Sequence, residues 1–322
     1  MRSGRSHPGI LALASLLLVL AADGQADEPR EVPLPTTRTA VLRDTDVVYV
    51  VEGRQRIPPG VEVTGQQGIR VKGRGGAVLE VRGALVVHGV SDNDVSIQGV
   101  TIELEDEVKQ LHLDHCKLGG GSCVVTPEGK SAHGAITIEN CDFDSAPGLS
   151  LALTGGKVKV MSVTTGPAVR IRGVDGEAGR NRVYAMVYGG TLTGLEVENV
   201  DDLTVRGALL KGSPLRLRDN RILVFDGNRV EGASLAFEHA EAGLFKGTQV
   251  TKCDLLCSTV RFFAPATAGK SDRVILDKCW FGGETNVDAI MKVVEDRDDD
   301  PANNVKVLVK SPTERPHRPP ER

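Results

Sequence analysis

"LTVRGALLKG" spans Leu203–Gly212, and "LVFDGNRVEG" spans Leu223–Gly232. One template fits the first eight residues of both. Apolar side chains stand at positions one, three, six and eight, and Gly or Asn stands at position five. Leu203, Val205, Ala208 and Leu210 meet it with Gly207. Leu223, Phe225 and Val230 meet it with Gly227, while Asn228 takes position six. "GLFKGTQV", Gly243–Val250, fits more loosely at the same 20-residue interval, with Phe245, Gly247, Thr248 and Val250. A second alternating pair keeps that interval: Leu195/Val197, Leu215/Leu217, Leu235/Phe237 and Leu255/Cys257.

Alternation at positions one and three is the signature of a strand with one face inward. The phase slips at position five, where Gly or Asn admits a left-handed backbone that other residues resist. Each period therefore holds short strands separated by bends, with no room for a strand plus a full helix. A coil of a parallel β-helix satisfies this pattern. Each strand bonds to its equivalent one coil away, about 4.8 Å distant, and aliphatic side chains stack into an inner column. A propeller blade needs about 40 residues and usually aromatic signatures, whereas aromatics are only 3% here. The predicted fold is all-β, a single-stranded right-handed parallel β-helix (solenoid) with coils of about 20–25 residues. Residues 205, 225 and 245 are expected to line up in one internal file.

The template also occurs upstream, in "VSIQGVTI" (Val95–Ile102), "LHLDHCKL" (Leu111–Leu118) and "ITIENCDF" (Ile136–Phe143), and late in the chain in "VILDKCWF" (Val274–Phe281). These bends, the variable loops between them, and the C-x-F and V-x-I endings resemble the right-handed parallel β-helix superfamily, the pectate-lyase-like group. "IPPGVEVTGQQGIRVKGRGGAVLEVRGALVVHG", Ile57–Gly89, resembles the first coils of such proteins. The resemblance runs from Val47 to Val309 and implies the fold and its right hand without specifying a function.

The chain has 322 residues and a formal net charge of −4, so nothing points to nucleic acid or an anionic membrane as partner. Arg2 and Arg5 precede an apolar run, Ile10–Ala22, that is too short to span a bilayer, and "GQA" ends at Ala26. Residues 1–26 thus read as a signal peptide, with no transmembrane segment after its cleavage, and the expected location is secreted or periplasmic. Residues 27–44, with Pro29, Pro33 and Pro35, read as a linker leading into a cap. Residues 45–310 read as the β-helix domain, and the Pro- and Arg-rich 311–322 as a disordered tail.

Outward positions form charge files by the same counting. Arg172, Glu198, Arg218 and Glu238 are equivalent in successive coils, as are Arg170, Glu196 and Arg216, and Arg206, Asp226 and Lys246. The alternating signs read as a self-neutralising ladder, with an acidic-glycan groove as the functional alternative. One place breaks the pattern. Asp114 and Glu139 share a template position in adjacent coils, and two carboxylates stacked near 5 Å repel by roughly 1–3 kcal/mol. His112 should face outward beside Asp114, with Asn140 and Asp142 just beyond. This is the candidate site: His112, Asp114 and Glu139 for catalysis, or Asp114, Glu139 and Asp142 as oxygen ligands for Ca²⁺. The opposite reading is a solvated acidic edge relieved by Lys117 or Lys130.

Enzyme motifs of the resembled group are fragmentary. Polygalacturonase-type hydrolases carry Asn-x-Asp, Asp-Asp, Gly-His-Gly and Arg-x-Lys. Asn140-Cys141-Asp142 and Asp201-Asp202 resemble the first two at too long a spacing. Ala132-His133-Gly134 is partial and out of order, and Arg170-Ile171-Arg172 has the wrong third residue. A lyase-like arrangement would need Asp114 and Glu139 beside a base such as Lys159. Trp280 and the pair Tyr184 and Tyr188 give few sugar platforms, and the Asp296–Asp300 run reads as a hydrated loop. Six cysteines occur without a CxxC pair, so zinc is not expected. Cys116 and Cys141 share the inward sixth position in adjacent coils, which admits either a disulfide or stacked buried thiols. Cys279 takes the same position further along.

The expected protein is an exported, non-catalytic β-helix serving as a structural or binding surface module. Its partners would be a polysaccharide or another envelope or extracellular protein, with no cofactor beyond Ca²⁺. The alternative is a polysaccharide lyase or glycoside hydrolase acting on acidic polysaccharide.

Overall fold

A computed structural model describes residues 29–90, 95–144, 148–175, 182–232, 234–267 and 271–317. The expected signal peptide lies outside them. Glu31–Arg322 forms one compact unit, a parallel β-solenoid of about ten turns. It is nearly all-β, 60% strand and 3% helix, of the right-handed parallel β-helix type. Among the described residues helical structure is confined to a single turn at Val287–Ile290 and a 3-10 turn at Phe245–Gly247.

The repeat that opens the sequence is the stacking register. Leu203 pairs with Leu223 and Val205 with Phe225; Leu195 pairs with Leu215 and then Leu235. All are buried, so each file is a continuous aliphatic and Phe column running through the core. The third 20-residue step fails. Phe225 is followed in its file by Val250, not Phe245, because residues 239–247 leave the strand path. Phe245 is still buried, with its ring 4.5 Å from that of His239 and 6.1 Å from that of Phe262, so it fills the core from the loop. Two expectations shift with it. Lys246 leaves the Arg206–Asp226 file, where Thr251 follows. Leu255 pairs with Val230, and Val260 and Phe262 succeed Leu235 and Phe237. Successive partners fall 18 residues apart (Val187 to Val205), then 20, 25, 26 and 33 (Leu276 to Val309), so coil length is wider than expected.

One corner sets the geometry. His115, Asn140, Ser162, Gly189, Gly207, Gly227, Lys252, Lys278 and Ser311 occupy equivalent places in successive coils, and all have φ between 50° and 64°. The amide of each of the first eight donates to the next coil: Asn140 N to Met161 O at 2.9 Å, Gly207 N to Asp226 O at 3.1 Å, Lys278 N to Lys310 O at 2.9 Å. The ladder thus continues through the bend and offsets the left-handed strain of about 1–2 kcal/mol per non-Gly residue. Beside the bends, buried polar side chains satisfy backbone that the ladder misses. Asn228 accepts from Ala208 N at 3.0 Å and donates to Val205 O at 2.8 Å. Asn220, Ser122 and Asn303 do the same at other turns.

Both ends are closed by chain. From Glu31 to Asp44, within the stretch read as a linker or cap entry, the chain forms a first partial coil: Leu34 N donates to Val50 O at 2.9 Å, and Ala40–Leu42 pairs with Glu62–Gly65. Leu34 and Leu42 are buried there and cover the end of the core. At the other end Val305–Lys310 pairs with Asp272–Asp277. Residues 311–317, read as the start of a disordered tail, are held against the solenoid. Thr313 N donates to Cys279 O at 3.1 Å and His317 N to the buried Asp254 Oδ1 at 2.7 Å, while Trp280 Nε1 donates to Glu314 O at 3.3 Å. Residues 318–322 lie outside the description.

Candidate functional site

The strand Asp106–Asp114 and the strand Ala132–Glu139 stack in parallel, with Glu139 opposite Asp114 as the template requires. His88 occupies the same file one coil earlier. The repulsion expected between the two carboxylates is relieved locally, and not by the lysines. His115 Nδ1 lies 2.7 Å from Asp114 Oδ1, and Asn140 Nδ2 donates to that oxygen at 3.0 Å. His112 Nε2 lies 2.7 Å from Glu139 Oε1, and its ring meets that of His88 edge-on at 4.5 Å. Lys130 instead pairs with Glu105 at 2.8 Å, and Lys117 stands beyond the corner, in register with Asp142. Each carboxylate thus has a histidine of its own. His88 and His115 are members of the cluster that counting had not singled out; the template would have found both, at positions four and five of their coils.

The structure brings His112, Asp114 and Glu139 together but separates Asp142, which lies past the left-handed Asn140 on the next strand, Asp142–Phe143. Among the described residues no three His, Cys, Asp or Glu side chains converge as a metal-binding set. Lys159 follows Thr137 in the file of His112, two coils away. Asp202 stands four residues before the file of Glu139 and three coils further on, so about 13 Å along the strand and about 14 Å across separate them. Its neighbour Asp201 is held by Arg221 at 2.6 Å. The polygalacturonase-like fragments do not converge. The Asp296–Asp300 run is a knitted turn: Asp296 is fully buried, accepting from Val307 N and Asp298 N, each at 2.8 Å.

A second region emerges from the ladder. Seven consecutive strands carry one outward file: Ser150, Arg170, Glu196, Arg216, Ala236, Arg261 and Glu295. The neighbouring file is Ala152, Arg172, Glu198, Arg218, Glu238 and Phe263. Six steps of about 4.8 Å make a face about 29 Å long. Arg170 meets Glu196 at 2.8 Å and Arg216 meets Glu238 at 2.5 Å; Glu198 lies 3.8 Å from Arg172 and 3.5 Å from Arg218. Three hollows follow one another along this face. One of about 210 Å³ is lined by Ser150, Arg170, Arg172, Glu196 and Glu198. The next, about 360 Å³, is lined by Arg216, Arg218, Glu238, His239, Arg261 and Phe263. The third, about 370 Å³, shares Arg261 and adds Lys292, Glu295, Asp299 and Asp300.

The middle hollow has a distinct floor. Arg261 sits 4.9 Å from the centre of the Phe263 ring, a cation–π contact. His239 is buried behind it, and burial holds its imidazole below the usual histidine range against the opposing pull of Asp219 and Asp272. The five arginines keep 41 to 68% of their side-chain surface exposed, so their forks remain accessible while tethered to glutamates. Arg261 and Phe263 were missed in the sequence because the 25-residue coil moves them out of the 20-residue count, whereas His239, next to Glu238, kept the count and was not singled out. A further hollow, about 220 Å³, lies apart among the first coils between Glu31, Val50, Glu52, Gln55 and Arg74.

No family model, no curated protein and no solved structure matches this chain. Among the described residues no helix is long and apolar enough to cross a membrane.

Proposed function

We propose that this chain is an exported, non-catalytic β-helix of the pectate-lyase-like type, and that its Arg/Glu face binds an extended acidic polysaccharide. The observation that carries the reading is the row of three hollows set one after another along seven coils. Its length suits a polymer lying parallel to the solenoid axis. Arginine presents a planar fork that matches a carboxylate, as on a uronic-acid unit, in two parallel hydrogen bonds. The tethering glutamates keep those forks oriented and can accept from sugar hydroxyls. Phe263 offers an apolar face beside Arg261 for a ring to rest on. The near balance of charge along the face favours a ligand of moderate charge density over a polyphosphate.

The test is binding of the purified chain to polygalacturonate, alginate and neutral dextran by calorimetry, at about 20 and 300 mM salt. Binding to a uronate polymer should weaken as salt screens the arginines and be lost in the Arg172→Ala, Arg218→Ala, Arg261→Ala triple variant. Absence of binding to every uronate polymer, or an unaltered triple variant, would overturn the reading. Cleavage of the polymer that disappears with Asp114→Ala or His112→Ala would establish the lyase or hydrolase alternative in its place.

A further inference from the structure

Four of the six cysteines stand at one structural position, the inward residue that follows the left-handed corner. Cys116 follows His115 and Cys141 follows Asn140; Cys253 follows Lys252 and Cys279 follows Lys278. Their registers are fixed on both sides. Asp114 pairs with Glu139 and Lys117 with Asp142 around the first two; Thr251 pairs with Asp277 and Asp254 with Trp280 around the others. Equivalent Cα atoms in adjacent coils are about 4.8 Å apart, inside the range of about 4.4–6.8 Å that a disulfide spans. Both side chains of a pair leave the same backbone conformation in the same direction, so their Cβ atoms are also about 4.8 Å apart, and closure needs a rotamer change and a shift of up to about 1 Å toward the usual Cβ spacing of about 3.8 Å. All six cysteines are free thiols in the structure. The neighbouring Cys141 thiol, then burial, pushes the Cys116 thiol up. Burial, then the Cys279 thiol, pushes Cys253 up, whereas Cys279 is held down by Cys253.

The neighbours leave no other pairing along the file. Val95 stands opposite Cys116, Val163 follows Cys141, and Asn228 precedes Cys253. Cys123 donates to Thr101 Oγ1 at 3.7 Å, and Cys257 lies opposite Gly232.

We propose that Cys116–Cys141 and Cys253–Cys279 are two disulfide-forming pairs, each joining adjacent coils at the same inner corner, and that Cys123 and Cys257 stay thiols. The oxidant is a disulfide-exchange reagent such as glutathione disulfide or a thiol–disulfide oxidoreductase. One thiolate attacks its S–S bond, forming a mixed disulfide and releasing one reagent thiol. The second thiolate then displaces the other, so two S–H bonds and one reagent disulfide become one protein disulfide and two reagent thiols. The four sulfurs are buried, with residue exposures of 0 to 1%, so exchange takes place while the corner is still open during folding. The inference does not depend on the ligand reading.

The test refolds the reduced chain in glutathione buffers from fully reduced to fully oxidised, in parallel with the chain expressed in an oxidising compartment. Each sample is acid-quenched, unfolded in guanidinium, alkylated with iodoacetamide without reductant and peptide-mapped. The oxidised chain should take two labels, on Cys123 and Cys257, where the reduced chain takes six, and should yield linked peptides for both pairs. Cys116→Ala should lose the first bridge and keep the second. Six labels in all samples, or bridges joining other cysteines, would overturn the proposal.

Discussion

Asn228→Ala isolates the device that lets the chain turn without leaving buried backbone unpaired. Asn228 has 1% of its surface exposed and replaces the apolar residue that position six otherwise carries. Its Oδ1 accepts from Ala208 N at 3.0 Å and its Nδ2 donates to Val205 O at 2.8 Å. Alanine removes both partners at once. A buried amide left without an acceptor costs about 1–3 kcal/mol, and a carbonyl losing one of its donors about 1 more. The expected loss is about 2–4 kcal/mol, read as a lower guanidinium midpoint at unchanged m. Amide hydrogen exchange localises it. Protection of Ala208 should fall by roughly 30- to 700-fold, since about 1.4 kcal/mol is a factor of ten. Val200 N, held by Asn220 Oδ1 at 3.2 Å, should keep its protection. A stability change below about 0.5 kcal/mol, or equal loss at Ala208 and Val200, would refute the reasoning.

Two glycines separate strain from collision. Gly227 (φ 62°) has open space where a Cβ would go, so Gly227→Ala should cost only about 1–2 kcal/mol. At Gly190 (φ 78°) the new Cβ would lie 2.2 Å from Val163 O, so Gly190→Ala should cost about 2–5 kcal/mol; equal denaturant midpoints would contradict this. For His239 the native state disfavours the protonated ring. The unfolded chain therefore binds more protons below its own value, about 6.5, and stability should fall as pH drops from there toward the depressed native value. His239→Gln should flatten that limb of the stability–pH curve, and an unchanged slope would count against the assignment. In the ladder, Glu198 touches two well-exposed arginines, and a double-mutant cycle with either should give about 0.2–1 kcal/mol; a coupling above about 2 kcal/mol would mean the pair is desolvated.

The fold was legible because stacking repeats one environment many times. Leu195, Leu215 and Leu235 are the same residue in the same place, and the eye finds them without knowing any contact. The count failed at Phe245 for a physical reason. A coil can swell by five residues where a loop folds back its own aromatic, and nothing in the local pattern of "GLFKG" distinguishes a core Phe on a strand from one on a 3-10 turn. Position five was read too narrowly as Gly or Asn. Lys252, Lys278, His115 and Ser162 hold the same corner because its conformation is held by a hydrogen bond from the next coil, not by local propensity alone. The contacts of residues 311–317 were not legible either: Pro and Arg say nothing about a buried carboxylate, Asp254, that takes the His317 amide.

That tolerance at the corner also separates the two charged regions. Once the ladder holds the bend, the side chain at position five is free to serve its neighbours. At His115 and Asn140 it reaches Asp114, one coil's carboxylate being approached by its own corner residue and accepting a hydrogen bond from that of the next. The cluster the sequence marked as a site thereby has its charges met from inside the fold, with side-chain exposures near 20% for His112, Asp114, His115 and Glu139. The Arg/Glu face is arranged differently. Its forks are long and about half exposed, and hollows lie along them. A ligand carboxylate there has to displace a contact worth well under 1 kcal/mol. At Asp114 it would meet a carboxylate that already accepts from Asn140 and has the His115 ring 2.7 Å away. The cost of admitting a ligand, more than the count of charges, is what places the binding face on the ladder.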